Sequence, residues 1–183
     1  MASSPLAVKR VLFTADEIAV RVRQLGREVS EHYRESTPIL VGVLKGAVVF
    51  LADLVRAVDI PVECDFIALS SYGVSSRSSG IVKLTADLSH SIESRHVLIV
   101  EDIVDTGRTL AYIVRNFQTR QPRSVRVCTL LDKVTRREVP VPLDHVGFTI
   151  PDEFVVGYGL DYAGRYRNLP YLAALVSDAS PAS

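Results

Sequence analysis

Only two cysteines occur among the 183 residues, Cys64 and Cys128, each inside an apolar, strand-like run. That count and placement argue against a disulfide framework and for buried structural thiols. An excess of either charge is missing too: 21 Lys+Arg balance 21 Asp+Glu, for a formal net charge of zero. No general electrostatic footprint for nucleic acid follows from that balance, although it leaves the charge of any one cleft open. Long apolar runs are also absent. The longest, 47–58, is interrupted by Asp53 and Arg56 and is too short to span a bilayer. The opening M-A-S-S-P-L-A-V-K-R lacks the apolar region of a signal peptide. The expectation is a soluble, cytoplasmic protein with no membrane partner. Four histidines, His32, His90, His96 and His145, show no metal-ligand spacing, and none is assigned to catalysis. Neither an internal repeat nor a Ser-His-Asp or Cys-His arrangement stands out.

Hydrophobic residues make up 48% of the chain, enough for a sizeable core. The length fits one α/β domain with room for a small appended lobe. Residues 1 to about 10 read as frayed. Thr14 to Glu17 spells a capping box, with Phe13 and Ile18 placed as a hydrophobic staple. Ile18, Val22, Leu25 and Val29 then mark one helix face ending near Ser30, with Arg21, Arg23 and Arg27 as its solvated face. Pro38 to Leu44 is a continuous apolar run, suited to a strand buried on both faces of a parallel sheet. Lys45-Gly46 ends it, and 47–58 reads as the following helix. Further strands are predicted over 62–70, 81–84, 96–100, 124–131 and 145–150, with a polar Ser/Gly-rich loop to about Gly80. The charged, Pro-containing 135–142 reads as a connector. Residues 177–183 read as a disordered tail.

The most informative stretch is Val97 to Leu110, V-L-I-V-E-D-I-V-D-T-G-R-T-L. A buried strand, 97–100, is followed by two carboxylates at its end, Glu101 and Asp102. A short turn, Asp105-Thr106-Gly107-Arg108-Thr109, feeds a helix with Leu110, Ile113, Val114 and Phe117 on one face. Such a turn leaves unpaired N–H groups at a helix start, and these with the helix dipole favour a phosphate. Gly107 permits close backbone approach, and Thr106 and Thr109 add hydroxyl donors. Asp105 is out of place beside a phosphate. It can cap the helix, but three acids beside an anion nest suit hydroxyls or Mg²⁺ at Glu101 and Asp102, and proton abstraction at Asp105.

The run E-D-I-V-D-T-G-R-T resembles the phosphoribosyl-pyrophosphate loop of the type I phosphoribosyltransferases, in a spelling most similar to their hypoxanthine-guanine members. Other segments match the same family. V-G-V-L-K-G-A resembles its pyrophosphate loop, in which the Leu44–Lys45 peptide would be cis and Lys45 and Gly46 would bind pyrophosphate. S-S-Y-G resembles the flexible loop whose serine and tyrosine, here Ser71 and Tyr72, would close as a lid and keep water from an oxocarbenium-like sugar. Lys133, in L-L-D-K, would hydrogen-bond the 6-oxygen of a purine and so disfavour a 6-amino base. F-V-V-G-Y-G-L-D-Y is a second strong match, remote from the first. It would place Phe154 against the purine, with Val155 reading the base edge and Ile103 on the other face. Asp161 would lie near Mg²⁺ and pyrophosphate, and Arg167 would grip pyrophosphate with a bidentate fork.

The resemblance implies a mostly parallel twisted sheet with helices on both faces and a small C-terminal hood, in a single phosphoribosyltransferase domain over 1–183. Its core would cover about 12–132 and its hood mainly about 133–176, with the N-terminal segment a further candidate for the hood. The implied reaction moves 5-phosphoribosyl from 5-phosphoribosyl-1-pyrophosphate to hypoxanthine or guanine. Asp105 would be the base at purine N7, and residues 105–109, Arg108 among them, would cradle the 5-phosphate. Glu101 and Asp102 would hold ribose hydroxyls, and Mg²⁺ would sit among Glu101, Asp102 and Asp161. A homodimer or homotetramer is implied. Xanthine as preferred base is the nearest alternative, because the Asp105 chemistry would be the same. An RNA-binding regulator on this fold is the alternative from another class, and neutral charge and Asp105 weigh against it. A silent nucleotide-binding module fits poorly with Glu101, Asp102, Asp105, Lys133 and Asp161 all present.

Overall fold

The computed structural model describes residues 8–71 and 82–175. In chain order these form β1 (Val8–Phe13), α1 (Ala15–His32), β2 (Ile39–Leu44), α2 (Val48–Ala57), β3 (Glu63–Ser71), β4 (Val82–Ala86), β5 (His96–Val104) and α3 (Arg108–Gln118). There follow β6 (Ser124–Asp132), a 3-10 turn (Val134–Arg136), β7 (His145–Thr149), β8 (Val155–Val156) and β9 (Leu172–Leu175).

The main sheet has six strands in the order β4-β3-β2-β5-β6-β7. All neighbours run parallel except β4, which returns antiparallel along β3. Because a parallel strand between crossover helices is buried on both faces, the central strand has no polar face: Val97, Leu98, Ile99 and Val100 are fully buried. Alternate residues divide between two layers. Leu98 and Val100 pack with Ile18, Val22, Leu25 and Val29 of α1 and Phe50, Leu51 and Leu54 of α2. Val97 and Ile99 pack with Leu110, Ile113 and Phe117 of α3. Each such side chain removed from water contributes about 1.5–3 kcal/mol, so the pattern of the sequence is sufficient to place helices on both faces.

The start of α1 follows its capping box. The Glu17 N–H donates to Thr14 Oγ1 at 3.3 Å, and the Thr14 N–H donates to the Glu17 carboxylate at 2.8 Å. One expectation fails on this helix: Arg21 is partly buried rather than on the solvated face. Its Nε and Nη2 donate to the carbonyls of Gly147 and Val146 at 3.0 and 2.7 Å. Those carbonyls belong to β7, an edge of the sheet with free acceptors, and the guanidinium fork satisfies two of them at once.

A second sheet, β1-β9-β8, is antiparallel and draws on both ends of the chain. Residues 8–10, read as frayed, are therefore ordered: Val8 and Arg10 lie opposite Leu175 and Ala174. Their partner is remote in sequence, so local composition carried no sign of it. Cys64 also departs from expectation, being exposed while Cys128 is buried. Cys64 pairs in register with Leu40, whose side chain packs with α1 and α2. On β3 the same face lies further towards the sheet edge, where Phe66 too is 40% exposed. Both thiols are free.

Candidate active site

The carboxyl ends of β5 and β6 and the segment around β8 meet at one cleft, the place where open parallel sheets hold ligands. β5 runs to Val104, four residues beyond the strand expected from the sequence. Glu101 and Asp102 therefore sit inside the strand, and alternation sends them to opposite faces. Glu101 lies on the α3 side, lining a recess of about 90 Å³ with Asp105, Thr106, Gly107 and Thr109. Asp102 lies on the other side, lining a cleft of about 400 Å³ with Ile103, Asp105, Lys133, Arg136, Asp152, Phe154, Val155, Leu160 and Asp161.

The turn before α3 is built by a left-handed residue. Gly107 is the N-cap, with φ 82°, and no side chain caps the helix, so Asp105 is not a capping residue. A Cβ at Gly107 would come within 2.5 Å of the Val139 carbonyl oxygen and 2.9 Å of Arg137 Cδ. The backing for this turn comes from the stretch read as a connector. The N–H groups of Glu138 and Val139 donate to the Thr106 carbonyl at 2.9 and 3.0 Å, and Arg137 pairs with Asp132. The Arg108 N–H donates weakly to Thr106 Oγ1 at 3.4 Å, and Gly107, Thr109 and Leu110 at the start of α3 line the small recess, an arrangement suited to an anion the size of phosphate.

On the opposite side of β5 the Leu44–Lys45 peptide is cis. Gly46 follows it, pressed against Asp102: a Cβ there would lie 1.7 Å from Asp102 Oδ2. Lys45 is exposed, and neither it nor Gly46 nor Arg167 lines the cleft itself. Arg167 donates from Nη1 to the Gly159 carbonyl at 2.6 Å and pairs with Asp161, so its fork is already engaged beside the cleft. Lys133 is buried to 6% exposure, facing Asp152 across 3.7 Å. Its backbone N–H donates to the Val104 carbonyl at 3.0 Å, tying the end of β6 to the end of β5. Phe154 has no core role. It is half exposed at the cleft and meets Tyr162 edge to face at 5.4 Å, leaving a ring face free for a planar partner. Val155 is buried beside it. Ser71 is the last residue of β3, and Tyr72 lies outside the described residues.

Burial governs the acids here. It pushes Asp102 from its ordinary 3.8 up to about 6. The N–H groups of Ile103 and of Asp102 itself, and Arg167, pull the other way, and Asp161 adds to the rise. Burial, and then the charge of Asp102, raise Glu101 well above the usual carboxylate range, and its Oε2 has no hydrogen-bond partner among the described residues.

Glu101, Asp102 and Asp161, grouped for a metal from the sequence, do not converge. Among the described residues no set of three His, Cys, Asp or Glu could hold an ion, and the strand alternation that separates Glu101 from Asp102 is the reason. Asp102 and Asp161 do border one cleft. Two carboxylates are enough for Mg²⁺, which keeps water and substrate phosphate as most of its ligands. Sequence reasoning passed over Arg136 and Asp152, both in the cleft wall. The cluster Arg136-Arg137-Glu138, three residues beyond Lys133, was the available signal. No helix is long and apolar enough to cross a membrane among the described residues.

Comparison with known proteins agrees with this geometry. The family model described as phosphoribosyl transferase domain matches residues 12–163. The chain is 50% identical over 177 residues to a hypoxanthine-guanine phosphoribosyltransferase of Mycobacterium avium, covering 93% of this chain and 87% of that one. It is 49% identical over 168 residues to the enzyme of the same name from Bacillus subtilis, covering 92% and 93%. Among solved structures, a hypoxanthine phosphoribosyltransferase from Staphylococcus aureus superposes with a TM-score of 0.89 at 43% identity, covering 92% of each chain.

Proposed function

We propose, on the premise that this chain belongs to the phosphoribosyl transferase family, that it is a purine-salvage enzyme. It transfers 5-phosphoribosyl from 5-phosphoribosyl-1-pyrophosphate to hypoxanthine or guanine, releasing pyrophosphate. The observation that carries this reading is the pairing of two sites across β5. A glycine-capped helix start at a recess of about 90 Å³ lies on one side, and a cleft walled by Lys133, Phe154 and Asp105 lies on the other. Asp105 borders both spaces, which is where an acid must stand to serve a base being joined to a sugar phosphate.

Each residue then has a task. Residues 105–109 hold the 5-phosphate through backbone N–H and threonine hydroxyl groups. Lys45, Gly46 and Arg167 hold pyrophosphate, and Arg167 must share its fork between Asp161 and the ligand. Phe154 stacks on the purine, Ile103 covers its other face and Val155 reads its edge. The Lys133 ammonium donates to the 6-oxygen, and a 6-amino base would leave that buried donor unpaired. Asp105 takes the proton from N7, and Glu101 and Asp102 bond the ribose hydroxyls from the two sides of the strand. Asp102 and Asp161 fit a Mg²⁺ ion, which when bound neutralises the leaving pyrophosphate.

A homodimer or homotetramer and a cytoplasmic location belong to the same proposal and rest on the family resemblance. Neither the xanthine-specific nor the RNA-binding alternative is favoured by the relatives, which carry hypoxanthine or hypoxanthine-guanine names. The test is ultraviolet-monitored nucleotide formation from hypoxanthine, guanine, xanthine and adenine with the diphosphate donor and Mg²⁺. Product from the first two supports the proposal. Product from xanthine alone, or from none, overturns it.

A further inference from the structure

Arg136 closes the 3-10 turn that begins one residue after Lys133. Its backbone N–H donates to the Lys133 carbonyl at 3.2 Å, and it lines the cleft wall together with Lys133. Its Nε lies 3.1 Å from Asp105 Oδ1, and its Nη1 lies 3.5 Å from Asp152 Oδ1. That same Asp152 oxygen faces Lys133 Nζ at 3.7 Å. Four side chains thus form a line of alternating charge, Asp105–Arg136–Asp152–Lys133. Its two ends are the groups to which the proposed function gives the purine's proton and its 6-oxygen.

The other contacts of these ends leave the bridge with a distinct task. Asp105 is 41% exposed as a side chain, but its Oδ1 is buried with no aligned hydrogen bond among the described residues, and the Arg136 guanidinium is the charged group against that oxygen. The Lys133 ammonium is buried and meets Asp152 as its carboxylate neighbour. Arg136 and Asp152 themselves are about half exposed, at 47% and 51%. Ion pairs so open to water contribute little to folding. A pair that adds little stability yet spans the wall of a cleft acts on the geometry of what it touches.

We propose that Arg136 and Asp152 are positioning residues: their bridge fixes the proton-accepting carboxylate and the 6-oxygen-binding ammonium at one separation. The inference rests on the proposed function. Small misplacements of reacting groups are costly, up to about 10²-fold for 1 Å, so a loosened bridge shows in turnover before it shows in stability. Arg136 governs Asp105 and acts on kcat, whereas Asp152 governs Lys133 and acts on the KM for the purine.

Steady-state kinetics on the full chain test this, with thermal melting as the check on folding. Arg136→Gln is expected to lower kcat about tenfold, with KM for the diphosphate donor within about twofold. Arg136→Lys, which keeps a cation beside Asp105, recovers part of that loss. Asp152→Asn is expected to raise the purine KM about fivefold and leave the donor KM unmoved. The double variant loses less than the product of the two single effects, because both break one bridge. If Arg136→Gln leaves kcat within about twofold of the parent chain, or if Arg136→Lys is no better than Arg136→Gln, the inference is wrong. An active parent chain with an indifferent Arg136 sinks this inference alone. A parent chain that makes no nucleotide sinks the functional reading and this inference with it.

Discussion

Replacing Asp102 by Asn should make the protein more stable at neutral pH while damaging its activity. Asp102 is held at the end of β5 with Oδ1 accepting from the Ile103 N–H at 2.9 Å, a bond that the Asn carbamoyl oxygen retains. Burial moves its carboxyl from an ordinary 3.8 to about 6. At 1.36 kcal/mol per pKa unit, that displacement is worth up to roughly 3 kcal/mol. The direction follows from proton binding. The folded state holds this proton more tightly than the unfolded state, so stability is fully present below the unfolded value and is lost as pH rises to the folded one. Asn has no proton to lose. The variant and the parent should therefore have similar stability near about pH 4, diverge between about pH 4 and 6, and differ by up to about 3 kcal/mol at about pH 7.5. In a domain of this size that is a rise in Tm of about 6–12 °C. Glu101 moves in the same direction, because the Asp102 charge helps to hold its pKa up. Urea denaturation with chelator present, at several pH values, measures the difference directly. A gap that does not change with pH, or a variant less stable at about pH 7.5, would refute the claim that a partly buried, incompletely compensated charge sits here.

Three further outcomes are expected. Asp105→Asn should reduce kcat by roughly 10²–10⁴-fold, the usual contribution of a general base, with a smaller change in purine affinity; unchanged turnover removes Asp105 from the reaction. Gly46→Ala forces a methyl group to within 1.7 Å of Asp102 Oδ2. Displacing that carboxylate and the adjoining loop should lower kcat/KM by about 10²-fold, and a kinetically normal variant would mean the close contact is relaxed in solution. Arg21→Ala removes two bonds to the β7 carbonyls. Chemical denaturation should show a loss of about 1–3 kcal/mol, with kcat unchanged because Arg21 lines neither the cleft nor the recess.

Much of the fold was legible because its signals are local. The Thr14–Glu17 box starts α1, the uninterrupted apolar runs mark strands buried on both faces, and the 3.6-residue spacing of Leu110, Ile113 and Phe117 marks α3. β1 was not legible, since its pairing partner among the described residues is β9, far away in the chain. Arg21 was misjudged for the same kind of reason: a polar position on a helix reads as solvated until the edge strand beside it is known.

At the site, residue chemistry was fixed by the order of amino acids alone. A glycine-containing turn after a strand that ends in acids, a lysine at the end of a neighbouring strand, and a distant aromatic run named the parts. How those parts are arranged was decided in three dimensions. Extension of β5 to Val104 sends Glu101 and Asp102 to opposite faces, so the acids that stand side by side in the chain line different spaces. The bridge from Asp105 through Arg136 and Asp152 to Lys133 exists only because separate loops converge on one sheet edge. Sequence patterns report the side chains that each element offers. Distances between elements depend on packing that sums over the whole chain, and those distances set which charges meet.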